Sequence, residues 1–340
     1  MTDKNLIFVI SLPRSGSTLL QMLISSHSRI SGSSEPWLCF PLLCGLRPDL
    51  IPDALYSSGI SEVALREFLD CIPDGQETYR TGLRKAALHV YEQYCKTHNG
   101  EYFVDKTARY YHIANELEAS FPRARFIVLL RHPSAVFLSY IEVMAAGELS
   151  RLGLKPVAHD LMEGNRKLME FANNAKGNKY LLRYEDLVSN PEHTLKEVSA
   201  FIGVGYEAGM LNYKEALKDV KGQLTDPKSI RQHEQVAKEY VERWRSHKWD
   251  AEARYLLLGY LKHLGCDLVE SMGYDYDDAL AHAQCRKPFI SSFDWGDISK
   301  MNHPLPRFKS RWRSEGSVLV KAQMAIRYPH LLMRACRQRR

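Results

Sequence analysis

Paired cysteines are missing from this chain. Its seven Cys, an odd number, include no Cys-x-x-Cys, which argues for reduced thiols rather than a disulfide framework or a redox pair. Cys and His do not stand at metal-ligand spacing either, so no structural metal is expected. No apolar run approaches the roughly 20 residues of a membrane span. The opening residues, Met1-Thr-Asp-Lys-Asn5, lead into an apolar run without a secretory layout, and the expected location is the cytoplasm. Internal repeats are absent. What remains is an ordinary globular composition of 340 residues, 45% hydrophobic and 25% charged. That is enough chain for one large α/β domain or two ordinary ones, with a real core.

Positive charge is scarce outside one region. The net charge is +6, yet residues 305–340 hold ten Lys or Arg against Glu315 alone, so the rest of the chain is close to −3. The basic character belongs to a tail and does not make a general nucleic-acid surface. A peripheral membrane or acidic-partner contact through that tail is one reading; a solvated basic segment is the plainer one.

The beginning of the chain carries the strongest signal. Leu6-Ile-Phe-Val-Ile10 reads as a buried strand, Ser11-Leu-Pro-Arg-Ser-Gly-Ser-Thr18 as a tight turn, and Leu19, Leu20, Leu23 and Ile24 recur at helical spacing. A strand–loop–helix unit aims backbone N–H groups and the positive end of a helix at one point, which makes an anion site. Laid on the Walker A pattern, Ser11 replaces the first Gly, Gly16 and Thr18 match, and Ser17 stands where the Lys belongs. Without that Lys, ATP or GTP use is disfavoured. The nearest cation is Arg14, which suits a shorter anion gripped by Arg14, the hydroxyls of Ser15, Ser17 and Thr18, and the backbone around Gly16.

Three further apolar runs end in polar chemistry: 101–104 before Asp105-Lys106-Thr107, 125–130 before Arg131-His132-Pro133-Ser134, and 179–182 before Arg183-Tyr184-Glu185-Asp186. Helical patterns over 80–96, 113–121 and 156–173 separate them. Alternation of this kind predicts an α/β fold with a parallel sheet, and ligands of such sheets sit beyond the carboxyl ends of the strands. Arg14, Lys106, Arg131 and Tyr184 would converge there. Each also has a plainer explanation. Arg131 can cap its strand and pair with Asp105 at the surface, Lys106 can be a solvated turn residue, and Tyr184 can be core. Glu185 and Asp186 can serve the start of the helix at 190–199, and His132 reads as structural.

Together these residues resemble the sulfotransferases that use 3′-phosphoadenosine 5′-phosphosulfate (PAPS). Pro13-Arg-Ser-Gly-Ser-Thr18 looks like the family's 5′-phosphosulfate loop, and Arg131 with Ser139 like its 3′-phosphate pair. Asp105-Lys-Thr107, Phe121 through Arg131, and Arg183-Tyr-Glu-Asp-Leu187 fall in family order. The similarity covers about residues 5 to 205 and is nearest the bacterial and tyrosylprotein branch. It implies a metal-independent enzyme with a P-loop-like parallel sheet flanked by helices. PAPS is the implied cofactor, with 3′-phosphoadenosine 5′-phosphate (PAP) as product, and Tyr184 joins the nucleotide site.

Sulfuryl transfer asks mainly for positioning and for stabilisation of charge in an in-line displacement. Arg14 and the loop N–H groups are placed for the leaving phosphate. Lys106 is the candidate for the bridging or sulfuryl oxygens, a role the resemblance to the tyrosylprotein branch also implies. Glu35, 21 residues past Arg14 in Ser31-Gly-Ser-Ser-Glu-Pro36, resembles that branch's catalytic Glu and is the candidate base. A structural Glu35 is the alternative, with His27 or His112 then next in line. Ser229, Arg231 and His233 lie in a polar stretch that related enzymes fold over the nucleotide, and Trp37–Glu77 is the expected acceptor region. Residues 1–265 read as one PAPS-binding domain and 266–340 as an extension with the basic tail. Sulfuryl transfer to a hydroxyl of a small molecule, lipid or saccharide leads. A P-loop small-molecule kinase and a non-catalytic adenine-nucleotide-binding protein are the alternatives.

Overall fold

The apolar run near the start of the chain forms the middle of the sheet. In the computed structural model, which describes residues 1–43, 46, 58–144, 157–174, 177–212, 239–288 and 295–301, it is strand β1 (Leu6–Ser11), buried along its whole length. The other strands are β2 (Ile30–Gly32), β3 (Tyr102–Asp105), β4 (Arg125–Leu130) and β5 (Asn178–Arg183). They run parallel in the order β2-β3-β1-β4-β5. Strands covered on both faces need apolar side chains at nearly every position, and β1 and β4 have them.

Alternation along β1 sends its side chains to two separate cores. Leu6, Phe8 and Ile10 join one cluster, where Phe8 stacks on Phe126 with ring centroids 5.4 Å apart. Ile7 and Val9 join the other. Leu20, Leu23 and Ile24 of helix Ser17–Ser25 cover the Ile7–Val9 face, together with Leu195, Val198 and Ile202 of helix Pro191–Ile202. Val136, Phe137 and Tyr140 of helix Pro133–Met144 cover the opposite face. The helices that follow β1 and β4 therefore leave the sheet on opposite sides. Two neighbouring strands with diverging connections leave a crevice at their carboxyl ends, the position where open parallel sheets take ligands.

Four of the five strands follow the apolar runs of the sequence. The edge strand β2 does not: it has three residues, Ile-Ser-Gly, and pairs only with β3. Helices Gly75–Thr97 and Ala114–Ser120 match the expected patterns. The third pattern becomes a π-helical turn, Asp160–Gly164, running into helix Asn165–Asn173. Gly164 lies there because a Cβ would come within 2.1 Å of the Leu12 side chain. Beyond residue 265, Val269, Met272, Tyr274, Ala279, Ala283 and Ile298 are buried in the same cluster as Phe8. Among the described residues no helix is long and apolar enough to cross a membrane. The basic tail and residues 224–234, with Ser229, Arg231 and His233, lie outside the described residues.

Candidate active site

The loop after β1 is shaped by two left-handed residues, Arg14 (φ 71°) and Gly16 (φ 87°), and is closed by the Ser15 N–H donating to the Leu12 carbonyl at 3.3 Å. Position 16 admits only glycine, since a Cβ would stand 2.3 Å from Cδ2 of Tyr184. Helix Ser17–Ser25 starts immediately afterwards, and no side chain caps its N-terminus. The first N–H groups of a helix have no intrahelical acceptor, and the dipole adds positive potential there. Ser15 and Ser17 are buried in this loop, while Thr18 is half-buried.

Arg14 ties the loop to the end of β4 and to the helix that follows it. Its Nε donates to Oγ of Ser139 at 3.0 Å, and its carbonyl accepts from Nη1 of Arg131 at 2.9 Å. The Arg131 guanidinium lies 4.3 Å above the Tyr184 ring, a favourable cation–π arrangement. The same ring abuts Gly16. Five residues expected at the nucleotide site, Arg14, Gly16, Arg131, Ser139 and Tyr184, thus form one interlocked unit drawn from the ends of β1, β4 and β5 and from helix Pro133–Met144. Tyr184 is core and loop support at once: it is 7% exposed and packed with Leu187 and Val188.

The strand on the other side of β1 ends in the second group. Lys106 follows β3, is 1% exposed, and donates from Nζ to Oε1 of Glu35 at 2.9 Å. Glu35 arrives from the carboxyl end of β2, 71 residues earlier. Its second oxygen accepts from Nε1 of Trp37 at 3.1 Å. Buried lysines are rare without a partner, so this Lys106 is not a solvated turn residue. Asp105 does not pair with Arg131. It is fully buried and accepts from the hydroxyls of Tyr91 (2.5 Å), Tyr110 (3.0 Å) and Thr107 (2.9 Å). Burial pushes its carboxyl up to about 6, against the pull of those hydroxyls and of Lys106.

The histidines have partners of their own. His27 precedes β2 and so lies at the opposite end of that strand from Glu35. Its Nε2–H donates to the Gly205 carbonyl at 2.8 Å and its Nδ1 accepts from the Arg29 N–H at 3.0 Å. His112 sits in a ring cluster with Tyr111 and His159, centroids 4.2 and 4.6 Å away. His132 stacks on Trp244 at 4.1 Å, its Nδ1 accepts from the Ser134 N–H, and burial drives its pKa down to about 3.

Glu185 serves more than a helix start. Its Oε1 accepts from the His132 N–H at 3.0 Å and its Oε2 from the Tyr274 hydroxyl at 2.7 Å. It joins the segment bearing Arg131 to the C-terminal helices. Tyr91 and Tyr110 were not singled out from the sequence, and Trp37 only as the start of the expected acceptor region. Their apolar bodies read as core, and only the distant polar partners reveal the rest.

Residues 6–208 match the sulfotransferase family model. The chain belongs to the sulfotransferase family. Among curated proteins, this sulfotransferase is 26% identical over 298 residues to nodulation protein NoeE of Sinorhizobium fredii (strain NBRC 101917 / NGR234), covering 82% of this chain and 67% of that one. It is 24% identical over 216 residues to a putative protein-tyrosine sulfotransferase of Caenorhabditis briggsae, covering 63% and 71%. The sulfotransferase domain of the Synechococcus PCC 7002 olefin synthase shares its fold, with a TM-score of 0.52 and 24% identity over 81% of this sulfotransferase and 97% of that domain.

Proposed function

We propose that this sulfotransferase takes PAPS as sulfuryl donor and transfers the group to a hydroxyl of a small-molecule, lipid or saccharide acceptor in the cytoplasm. The observation that carries this reading is the Lys106–Glu35 contact of 2.9 Å at the end of β3, next to the strand whose loop holds Arg14. It sets a cation and a carboxylate beside an anion-binding helix start. The donor set fits the nucleotide: Arg14, Ser15, Ser17, Thr18 and the N–H groups around Gly16 would hold the 5′ end, and Arg131 with Ser139 the 3′-phosphate. Tyr184 supports both through Gly16 and Arg131. PAPS would supply an activated sulfuryl group on an anionic leaving group.

The chain's own work is then positioning and charge. Lys106 would turn part of its hydrogen bonding from Glu35 to the sulfonate side, where negative charge builds up. Glu35 would accept the proton of the acceptor hydroxyl as the new O–S bond forms. Arg14 and the start of helix Ser17–Ser25 would stabilise the departing phosphate.

The test is ligand binding without metal. PAP at about 100 times its dissociation constant should stabilise the protein by about 2.7 kcal/mol. Arg131→Ala should weaken PAP by about ten- to a hundredfold, the scale of a charge-assisted phosphate contact. It should weaken adenosine 5′-phosphosulfate, which lacks the 3′-phosphate, much less. Arg131 also holds the Arg14 carbonyl, so equal losses for both ligands would mean loop support and not phosphate reading. Preference for ATP with Mg²⁺ over PAP would overturn the proposal.

A further inference from the structure

Glu35 is followed by Pro36 and by Trp37, whose φ of 52° lies in the left-handed region. A bulky side chain in that region is strained and needs surroundings that hold it there. The surroundings are specific. The Trp37 N–H donates to Oγ1 of Thr107 at 3.3 Å, and the Cys39 N–H donates to the Tyr110 hydroxyl at 3.0 Å. The Cys39 thiol lies 3.2 Å from the Tyr91 hydroxyl. All three hydroxyls also meet Asp105, Thr107 at Oδ1 and both tyrosines at Oδ2.

An ionised carboxylate only accepts hydrogen bonds, and a hydroxyl has one proton to give. Asp105 therefore accepts the one hydrogen bond that each hydroxyl can donate and leaves each with only lone pairs to offer. Those lone pairs face the Trp37 N–H, the Cys39 N–H and the Cys39 S–H. We propose that Asp105, acting through Thr107, Tyr110 and Tyr91, is the positioning residue that fixes segment 37–39 in its strained form and thereby aims the Trp37 indole and the Glu35 carboxylate. The direction of the chain is set at its buried end. Lys106, next in sequence, holds the other oxygen of Glu35, so residues 105–107 grip Glu35 from both sides.

This inference rests on the reading of Glu35 as the base, and the experiment separates the two. Full-length protein labelled with 15N in its tryptophans reports the Trp37 indole N–H directly, the signal being assigned by its loss in Trp37→Phe. Thr107→Val should move that signal to the position it takes in Glu35→Gln, because both break the indole–carboxylate contact, and Thr107→Ser should restore it. Turnover is read in parallel as PAP release from PAPS with water as acceptor. It should fall by about ten- to a hundredfold in Thr107→Val, the scale of a small misplacement of a reacting group, and recover in Thr107→Ser, with PAP affinity unchanged throughout. Tyr110→Phe keeps ring packing and supplies a second, milder break should Thr107→Val fold poorly. An unmoved indole signal in both folded variants would overturn the positioning role, whatever the activity. Full turnover in Glu35→Gln alongside a moved signal would overturn the base assignment and leave the positioning intact.

Discussion

At the scale of single residues, two buried ionisable groups respond to acid in opposite ways. His132 is held near 3 against an ordinary 6.5. Between those values the unfolded chain binds a proton that the native state refuses, so stability is full above about pH 6.5 and is lost as pH falls through the window. Asp105, raised to about 6 from 3.8, is protonated more readily when folded and adds stability as pH falls through its own range. Comparing wild type with His132→Phe cancels the Asp105 contribution. Denaturant unfolding from pH 6.5 down to 4 should show the wild type losing up to about 1.4 kcal/mol per pH unit more than the variant, the worth of one proton. Parallel slopes would mean that His132 is protonated in the native state. The residues gathered at the candidate site were legible one at a time, because Arg14, Lys106, Arg131 and Tyr184 each closely follow an apolar run and a parallel sheet gathers such ends on one side. Their partners were not legible. Tyr91 sits on a helix that precedes β3, and nothing in its periodicity separates a core ring from one that donates to Asp105.

At the scale of elements, the sheet is held to its C-terminal helices by a short polar path. The Tyr274 hydroxyl reaches Glu185 at the start of helix Tyr184–Ser189, and Glu185 reaches the backbone of His132. Arg183 adds a bond to the Gly273 carbonyl at 2.8 Å. Tyr274→Phe removes one hydroxyl and leaves a carboxylate oxygen of Glu185 without that donor, a loss of about 1–3 kcal/mol. The same change should weaken PAP, because the His132 N–H next to Arg131 loses part of its anchor. Unfolding and PAP titration of the variant check both, and a loss of stability without any change in PAP affinity would restrict Glu185 to a structural role. Strand β2 marks the limit of reading elements from sequence. Three residues, one of them glycine, give no alternation to detect, and the strand exists because the Tyr102–Val104 edge of β3 is there to receive it.

At the scale of the whole molecule, the described part of the chain after residue 265 shares its core with the sheet. Ile298 is fully buried and Trp295 packs over Gly259, where an added Cβ would stand 2.6 Å from Trp295 Cβ. A chain ending at Gly265 would expose the buried faces of Val269, Met272, Tyr274, Ala279 and Ala283, several side chains each worth about 1–3 kcal/mol of burial. Such a truncation should give no cooperative unfolding transition, since native proteins hold only about 5–15 kcal/mol in total. A stable, PAP-binding 1–265 fragment would instead establish the division expected from the sequence. The uneven distribution of charge along the chain is legible without a fold, since it is a count; packing between distant segments leaves no such trace.

The bond from Arg14 to Ser139 spans 125 residues, and His132 stacks on Trp244, which comes later in the chain than either. A polypeptide emerging from the ribosome in order has its anion loop within the first 18 residues, yet the groups that lock the loop appear only after much of the chain has been made. Long-range closure of this kind is slow, and it leaves the early segment waiting. A nucleotide bound as proposed would therefore do little for the nascent protein. Its stabilising effect would belong to the finished molecule, so a cell rich in nucleotide would extend the lifetime of mature copies without raising the yield of newly made ones.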